Sequence, residues 1–213
     1  MMMTMTDLGA GSDTLSWTVA TIVSGIASNP SVQSKLHEDL HGAGLKKGEP
    51  VSYDEAAKLE YLEACMHEGQ RMWPNIAISL PRVVPPEGMT IDGYHVPGGY
   101  IVGMNSKQLG LSESIFGHDT HLFRPERWLE APKERRRDME NRNLAFGGPS
   151  RKCPGMHLAW VVMAKVIATL FVNMEVKVLN ELDGKPGPGG RVWREYGSFP
   201  SKWEGFEVEL STV

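Results

Sequence analysis

The chain has 213 residues, of which 41% are hydrophobic, and a formal net charge of −4. This length suffices for one sizeable domain with its own core, and the weak negative charge argues against binding to nucleic acid or an anionic membrane. Two cysteines, Cys65 and Cys153, do not make a disulfide framework, so we expect a reducing compartment. No apolar run reaches the usual length of a membrane span, and residues 1–6 do not form a signal peptide.

Helical patterns dominate the first third of the chain. Apolar residues at helical intervals predict a helix over residues 7–28. Asn29-Pro30 predicts the end of this helix and the N-terminus of a second one, which runs to about Leu40. The capping-box pattern Ser52-Tyr53-Asp54-Glu55 then predicts further helix as far as Trp73-Pro74.

The character of the sequence changes after Trp73. Short apolar runs between Pro/Gly turns predict a small β region over residues 76–102. Residues 105–145 read as mostly irregular and highly charged, and their basic run is most simply a solvated surface. Residues 154–173 predict a helix, with Leu158 and Val166 on its apolar face, and residues 204–210 predict a final strand. The fold class is therefore mainly α with a small β region.

The charged segment is joined to the helix predicted over residues 154–173 by Phe146-Gly147-Gly148-Pro149-Ser150-Arg151-Lys152-Cys153-Pro154-Gly155. This segment places one cysteine in a glycine-rich loop before a helix. Nearby cations, a helix N-terminus or a metal lower the pKa of a thiol. We expect Pro154 at the first helical position and the following N–H groups pointing back at the sulfur. By itself, Cys153 is also compatible with an inert structural cysteine, and the loop alone leaves both interpretations open.

The loop resembles the haem-binding loop of the cytochrome P450 family, in which a phenylalanine, glycines, an arginine and a cysteine recur at this spacing. Three further segments resemble other motifs of that family, in the family's order. They are Ala10-Gly11-Ser12-Asp13-Thr14, Glu68-Gly69-Gln70-Arg71 and Phe123-Arg124-Pro125-Glu126-Arg127-Trp128. The amino-acid sequence also resembles that of the fungal membrane-bound branch of the family, and within it that of the pisatin-demethylase-like enzymes.

The resemblance implies a b-type haem whose iron takes Cys153 as its axial thiolate. It also assigns Arg151 and Arg82 to the haem propionates, for which the bidentate geometry of arginine is well suited. The cofactor-binding residues that it implies are Cys153, Arg151, Phe146, Gly147, Gly155, Arg82, Ala10 and Gly11.

The segment from Ala10 to Thr14 is implied to serve oxygen activation. The small Ala10 and Gly11 would leave room for oxygen, while Thr14 and Asp13 would act as catalytic residues that deliver protons. Without the resemblance, Asp13 and Thr14 are more simply an ordinary polar helix face.

Two further groups of residues receive roles from the resemblance. Glu68 and Arg71 lie one helical turn apart, and with Arg127 they are implied to form a buried network that is structural and not catalytic. A second group aligns with a substrate-facing segment, although an ordinary strand is the alternative. Its members are Ala77, Ile78, Ser79 and Leu80.

The implied architecture is the C-terminal part of the cytochrome P450 fold, from the central helix through the haem-binding loop to the final helix and β hairpin, with the N-terminal region absent. Residues 1–213 would form the haem-binding portion of a single domain, and residues 1–6 would be an arbitrary start. The parent family resides in the endoplasmic reticulum membrane. Because no anchor is recognised in this sequence, the expected location of the chain is cytoplasmic or unknown.

The implied function is that of a haem-thiolate monooxygenase that inserts one atom of O₂ into a small lipophilic substrate. Electrons would come from NADPH through NADPH-cytochrome P450 reductase, in a fungal secondary-metabolite pathway. The alternative is a catalytically inactive, truncated remnant of such an enzyme. Three departures from the family pattern bear on the haem side: Pro149 for glycine, Gly110-Leu111 for His-Arg, and Tyr100 for threonine.

Overall fold

The computed structural model describes residues 2–197 and 201–213, with residues 2–8 and Pro149 described by their backbone alone. Two features noted in the sequence therefore lie outside the described part: Met1 of the expected arbitrary start, and the side chain of Pro149, which departs from the family pattern. In chain order the helices are α1 (Met2–Ala27), α2 (Pro30–Gly42), α3 (Tyr53–Ala56), α4 (Glu60–Met72), α5 (Ser106–Gly110), α6 (Glu113–Phe116), α7 (Glu126–Glu130), α8 (Lys133–Arg142) and α9 (Met156–Asn173). The strands are β1 (Ser79–Val83), β2 (Met89–Ile91), β3 (Tyr94–Val96), β4 (Ile101–Asn105), β5 (Met174–Val178), β6 (Arg194–Tyr196), β7 (Lys202–Glu204) and β8 (Val208–Thr212).

Helices α1, α4 and α9 form the centre of the molecule, with α2 packed against all three. Glycine permits the closest of these contacts, since a Cβ at Gly69 of α4 would lie 2.5 Å from Ile22 Cγ1 of α1. The fully buried side chains at the centre come from all four helices. They are Ile22, Ile26, Leu36, Leu40, Leu62, Met66, Met163, Ile167 and Phe171.

The predicted helix boundaries in the first third of the chain are confirmed to within a few residues. The capping box is complete: Ser52 Oγ accepts from Glu55 N at 3.3 Å, and Glu55 Oε2 accepts from Ser52 N at 2.9 Å. Asn29 occupies the N-cap position of α2, but its side chain makes no capping hydrogen bond there. Its Nδ2 instead donates to Gly25 O at 2.7 Å, so the side chain closes the end of α1.

The strands form small antiparallel pairs: β1 with β4, β2 with β3, β5 with β8, and β6 with β7. The first two pairs confirm the predicted β region over residues 76–102. The predicted final strand over residues 204–210 is only partly right. It is divided between the end of β7 and the start of β8, because Gly205 adopts a φ of +75° between them.

The prediction that residues 105–145 are mostly irregular is wrong, since four short helices lie there. Local hydrogen bonds rather than an apolar period define them, and Asn105 Oδ1 caps α5 by accepting from Gln108 N at 3.1 Å. The longest, α8, has an exposed, charged surface on which Arg136 pairs with Glu140 at 3.0 Å one turn away. This solvated surface agrees with the interpretation of the basic run.

Helix α9 begins at Met156, so the prediction that Pro154 is the first helical residue is wrong. Met156 N donates to Cys153 O at 3.3 Å, and this turn occupies the place of a first helical turn. The predicted apolar face also differs from the buried one, because Leu158 is 69% and Val166 44% exposed. The core-facing side is made by Met163, Ile167 and Phe171.

Among the described residues, α9 is the helix long and apolar enough to cross a membrane, judged by length and composition alone. The sequence argument that no apolar run reaches this length therefore fails for α9. In this fold its buried side packs against α1, α2 and α4, so α9 is a core helix here.

Candidate functional site

An open cavity of about 700 Å³ lies between α1, the segment that joins α4 to β1, and the loop before α9. Seven of the residues singled out from the sequence line it. They are Thr14, Leu80, Arg82, Phe146, Gly147, Arg151 and Cys153. The fold thus brings together segments that are more than 130 residues apart in the chain.

The loop that carries Cys153 is closed by two backbone hydrogen bonds. Gly147 N donates to Leu144 O at 2.9 Å, and Cys153 N donates to Phe146 O at 2.8 Å. Gly147 has a φ of +81°, a conformation that L residues other than glycine avoid. The loop therefore folds back on itself and presents the exposed Cys153 side chain to the cavity.

The two cysteines lie in opposite environments. Cys65 is fully buried in α4, as expected of a core residue. Burial, together with the nearby carboxylates of Glu126 and Glu68, raises the pKa of the Cys65 thiol. A neutral, inaccessible thiol is neither a nucleophile nor a metal ligand, so Cys153 is the cysteine suited to bind a metal.

Thr14 is the member of its segment that reaches the cavity. Its Oγ1 donates to Ala10 O at 2.7 Å, one turn back along α1. Asp13, Ala10 and Gly11 are exposed and lie outside the cavity lining. Adjacent residues of a helix point about 100° apart, so Asp13 and Thr14 face different directions.

The remaining loop and strand residues are divided between the cavity and the surface. Arg82 and Arg151 are exposed residues that line the cavity, and Arg82 Nη1 donates to Pro81 O at 2.7 Å. Gly155 caps α9 and lies beside Cys153, since a Cβ there would be 3.9 Å from the sulfur. It is outside the lining itself.

The segment interpreted as substrate-facing is only partly placed at the cavity. Leu80 lines it, whereas Ala77, Ile78 and Ser79 lie outside the lining. Ile78 is 45% exposed, and Ala77 O accepts from Asn105 Nδ2 at 2.7 Å.

Glu68, Arg71 and Arg127 meet in a buried network beside the cavity. Arg71 binds Glu68 through two hydrogen bonds, from Nε at 2.9 Å and from Nη2 at 2.8 Å. Arg127 Nε donates to Glu68 Oε1 at 2.9 Å, and Trp128 Nε1 donates to Glu68 Oε2 at 2.9 Å. Both carboxylate oxygens are thus satisfied, which a buried charge requires.

The two arginines of this network also hold the chain between α5 and α7. Arg71 Nη1 donates to the carbonyls of Gly110 at 2.7 Å and Thr120 at 2.8 Å. Gly110 lies so close to Arg71 O that a Cβ at this position would collide with it. Arg127 Nη1 reaches Asp119 Oδ1 at 2.6 Å. Burial disfavours the charged Asp119, but hydrogen bonds from Arg127 and Arg124 outweigh it and lower the pKa of this carboxyl.

Several cavity residues were not identified from the sequence. One of them, Thr18, lies four residues after Thr14, so helical spacing alone indicates that it shares the face of Thr14, whereas spacing gives no such indication for the adjacent Leu15. Others become neighbours only in the folded chain and carry no local signal. The residues of this second kind are Trp73, Asn75, Ile76, Ala159 and Met163.

Comparison with known proteins agrees with this arrangement. The cytochrome P450 family model matches residues 1–193. The chain is 38% identical over 189 residues to the cytochrome P450 monooxygenase sdnT of Sordaria araneosa, which covers 83% of this chain and 34% of that protein. It is 36% identical over 176 residues to the pisatin demethylase of Fusarium vanettenii, which covers 81% of this chain and 32% of that protein.

A third relative is the cytochrome P450 monooxygenase ACRTS1 of Alternaria alternata, which is 34% identical over 174 residues, or 81% of this chain and 46% of that protein. The chain thus spans about a third to a half of the length of these curated relatives. The resemblance inferred from the motifs, including that to fungal pisatin-demethylase-like enzymes, is confirmed. The chain belongs to the cytochrome P450 family.

Proposed function

We propose that this chain is the haem-binding part of a haem-thiolate monooxygenase that inserts one oxygen atom from O₂ into a lipophilic substrate. One observation carries the proposal: Cys153 from the glycine loop and Thr14 from α1 line the same cavity. The ligand segment and the oxygen-activation segment of the family motifs are thereby brought to one place.

The residues around this cavity fit a haem. Its volume of about 700 Å³ lies within the roughly 300–1,000 Å³ typical of cofactor and small-molecule sites. One wall offers an accessible thiol, and Arg82 and Arg151 offer guanidinium groups for two carboxylates. Most of the remaining lining is apolar, which suits a large flat ring.

The loop residues assigned to the cofactor each have a role in this proposal. When bound, a haem with a thiolate ligand supplies the electron-rich iron that favours cleavage of the O–O bond. Cys153 would provide that thiolate, and the Phe146–Cys153 backbone hydrogen bond would hold the sulfur in place. Gly147, Phe146 and Gly155 would shape the loop around it.

Proton delivery would fall to Thr14. Its hydroxyl proton is engaged by Ala10 O, so the lone pairs of Oγ1 are available to accept a hydrogen bond from a water molecule and would hold that water as the proton donor. Asp13 lies on the exposed side of α1 and would act through bridging water molecules. The small residues Ala10 and Gly11 would keep this turn of α1 free of bulky side chains and so leave room for oxygen.

The other roles follow from the same proposal. Glu68, Arg71 and Arg127 would support the haem side of the fold without taking part in the chemistry. Leu80 would contact substrate, with smaller contributions from Ala77, Ile78 and Ser79. Electrons would arrive from NADPH through NADPH-cytochrome P450 reductase at the endoplasmic reticulum membrane, and the substrate would belong to fungal secondary metabolism.

The test is the absorption spectrum of the haem-loaded, reduced, full-length natural protein after addition of carbon monoxide. We expect the red-shifted Soret band of a thiolate-ligated haem, and its loss in the Cys153→Ser variant. Cys65→Ser is the matched control and should keep the band. A band that survives Cys153→Ser would overturn the assignment, while a normal band without product formation would favour the inactive alternative.

A further inference from the structure

His37 is a half-buried histidine of α2 whose ring makes no hydrogen bond. Both ring nitrogens, Nδ1 and Nε2, are buried, and neither has a partner within the part of the chain that the structure describes. A neutral imidazole carries one N–H donor and one acceptor, so both functions are unmet here. Buried polar groups without partners are uncommon and lower stability. The ring is therefore held in place by packing.

That packing joins α2 to the C-terminal end of α9. The His37 ring meets the ring of Phe171 edge-on, with the centroids 6.0 Å apart and the planes at 72°. On its own helix it stacks on His41, one turn later, with the centroids 6.2 Å apart and the planes at 15°. Phe171 is fully buried in the central core, whereas His41 is exposed. His37 thus lies where the interface between α2 and α9 meets solvent.

The charged and titratable groups that act on this ring come from three parts of the chain. They are His41 of α2, Lys47 of the loop after α2, and Glu175 of β5. Burial and then His41, with a smaller effect of Lys47, lower the pKa of the His37 imidazole, and they outweigh Glu175 and the Phe171 carbonyl. Because neither ring nitrogen is hydrogen-bonded, little compensates an added proton in this position.

We propose that the contact between His37 and Phe171 is a pH-sensitive switch, which opens the interface between α2 and α9 when His37 takes up a proton. The uncharged ring stays packed on Phe171. A protonated ring brings a positive charge and a second N–H into this contact, beside His41, and turns out to water. The inference goes beyond the proposed function and does not depend on it, because His37 lies outside the cavity lining.

The direction of the pH effect follows from the two states of the contact. In the open state the ring is in water and its pKa returns to the ordinary value of 6.5. The closed state resists the proton, so the open state binds more protons as the pH falls below this value and is favoured there. The contact is therefore closed above this pH. Opening should become about tenfold more frequent between about pH 7.5 and about pH 5.5.

The experiment is hydrogen–deuterium exchange of the haem-loaded, full-length natural protein at these two pH values, with rates corrected for the intrinsic effect of pH. We expect peptides around His37 in α2 and Phe171 in α9 to lose protection by about tenfold at the lower pH. Peptides around Arg71 in α4 should keep their protection within about threefold, since local opening leaves that part of the core intact.

Two variants without a titratable ring test whether His37 is responsible. His37→Leu and His37→Gln should each hold the change around Phe171 within about threefold, because no proton can then be taken up there. His118→Gln is the matched control. The His118 side chain is 97% exposed, so its removal should leave the response of the native protein unchanged.

Equal protection of the α2 and α9 peptides at both pH values in the native protein would overturn the proposal. A loss spread evenly along the chain would also overturn it, because global unfolding is not a local switch. The same conclusion holds if the loss persists in His37→Leu or His37→Gln. The measurement on the native protein decides alone if both variants fail to fold.

Discussion

Gly147 is the residue whose backbone conformation shapes the cysteine loop. Its φ of +81° reverses the chain between Phe146 and Gly148, and a Cβ at this position would lie 3.1 Å from Arg151 O. Gly148 differs, because its φ is −87° and a Cβ there would meet nothing within 4 Å. The two adjacent glycines therefore form a natural matched pair.

We expect Gly147→Ala to destabilise the folded protein by about 1–3 kcal/mol, the usual cost for an L residue of the positive-φ, extended-ψ region that only glycine adopts readily. The variant should also retain less haem, because the loop that carries Cys153 is strained. Gly148→Ala should be nearly neutral in both respects. Denaturant unfolding and the haem content of purified samples provide the measurements, and equal losses in the two variants would contradict this account of the loop.

Single residues could be predicted from the sequence where a motif fixes their spacing, as for Cys153 and Glu68. Asn75 could not be predicted in this way. Its place on the cavity wall depends on the hydrogen bond from Nδ2 to Thr14 O, a residue 61 positions earlier. Nothing in the local sequence around Asn75 distinguishes it from an ordinary helix-terminating asparagine.

At the scale of elements, Glu68 joins α4 to the segment around α7. It accepts hydrogen bonds from Arg71, Arg127, Trp128 and the backbone N of Arg124. All these contacts are buried or half-buried, so no water replaces a lost partner readily. The arrangement of the two elements therefore depends on one carboxylate.

We expect Glu68→Gln to lower the free energy of unfolding by about 3–5 kcal/mol, because it leaves the buried Arg71 guanidinium without its counter-charge and leaves Arg127 paired with Asp119 alone. Glu130→Gln is the control, since Glu130 pairs with Arg124 at the surface. It should cost no more than about 1 kcal/mol. Chemical denaturation followed by circular dichroism measures both, and a loss below 1 kcal/mol for Glu68→Gln would refute the role of the network.

The long elements could be predicted because they carry a period: α2 begins and ends close to the expected residues, and α1 and α4 end close to them, although α1 begins five residues earlier than expected. Helices α5 to α8 could not be predicted. They are 4–10 residues long, and tertiary hydrogen bonds such as Arg127 to Phe116 O hold them in place. For α9 the helix was predicted but not its buried side, because nearly all of its faces are apolar.

In the described part of the molecule, several large apolar side chains are exposed to solvent. Leu158 of α9 is 69% exposed, Ile101 of β4 71% and Tyr94 of β3 76%. Where exposed apolar side chains lie next to one another, they favour association with other protein.

We expect the purified chain of residues 1–213 to bind the dye ANS strongly and to self-associate as its concentration rises, because these side chains favour burial. Leu158→Lys, on the exposed side of α9, should reduce both effects without unfolding the helix. Fluorescence titration and sedimentation velocity are the measurements. A monomeric chain with little dye binding would show that its surface is better covered than these exposures indicate.

The contact between Gly110 and Arg71 constrains how this sequence can evolve. The family usually has histidine where Gly110 stands, yet here the backbone of α4 fills the space that a side chain would need. Restoring the family's residue would therefore damage this protein unless α4 first moved away. The two positions are therefore sterically coupled: any residue larger than glycine at position 110 requires the backbone of α4 at Arg71 to shift.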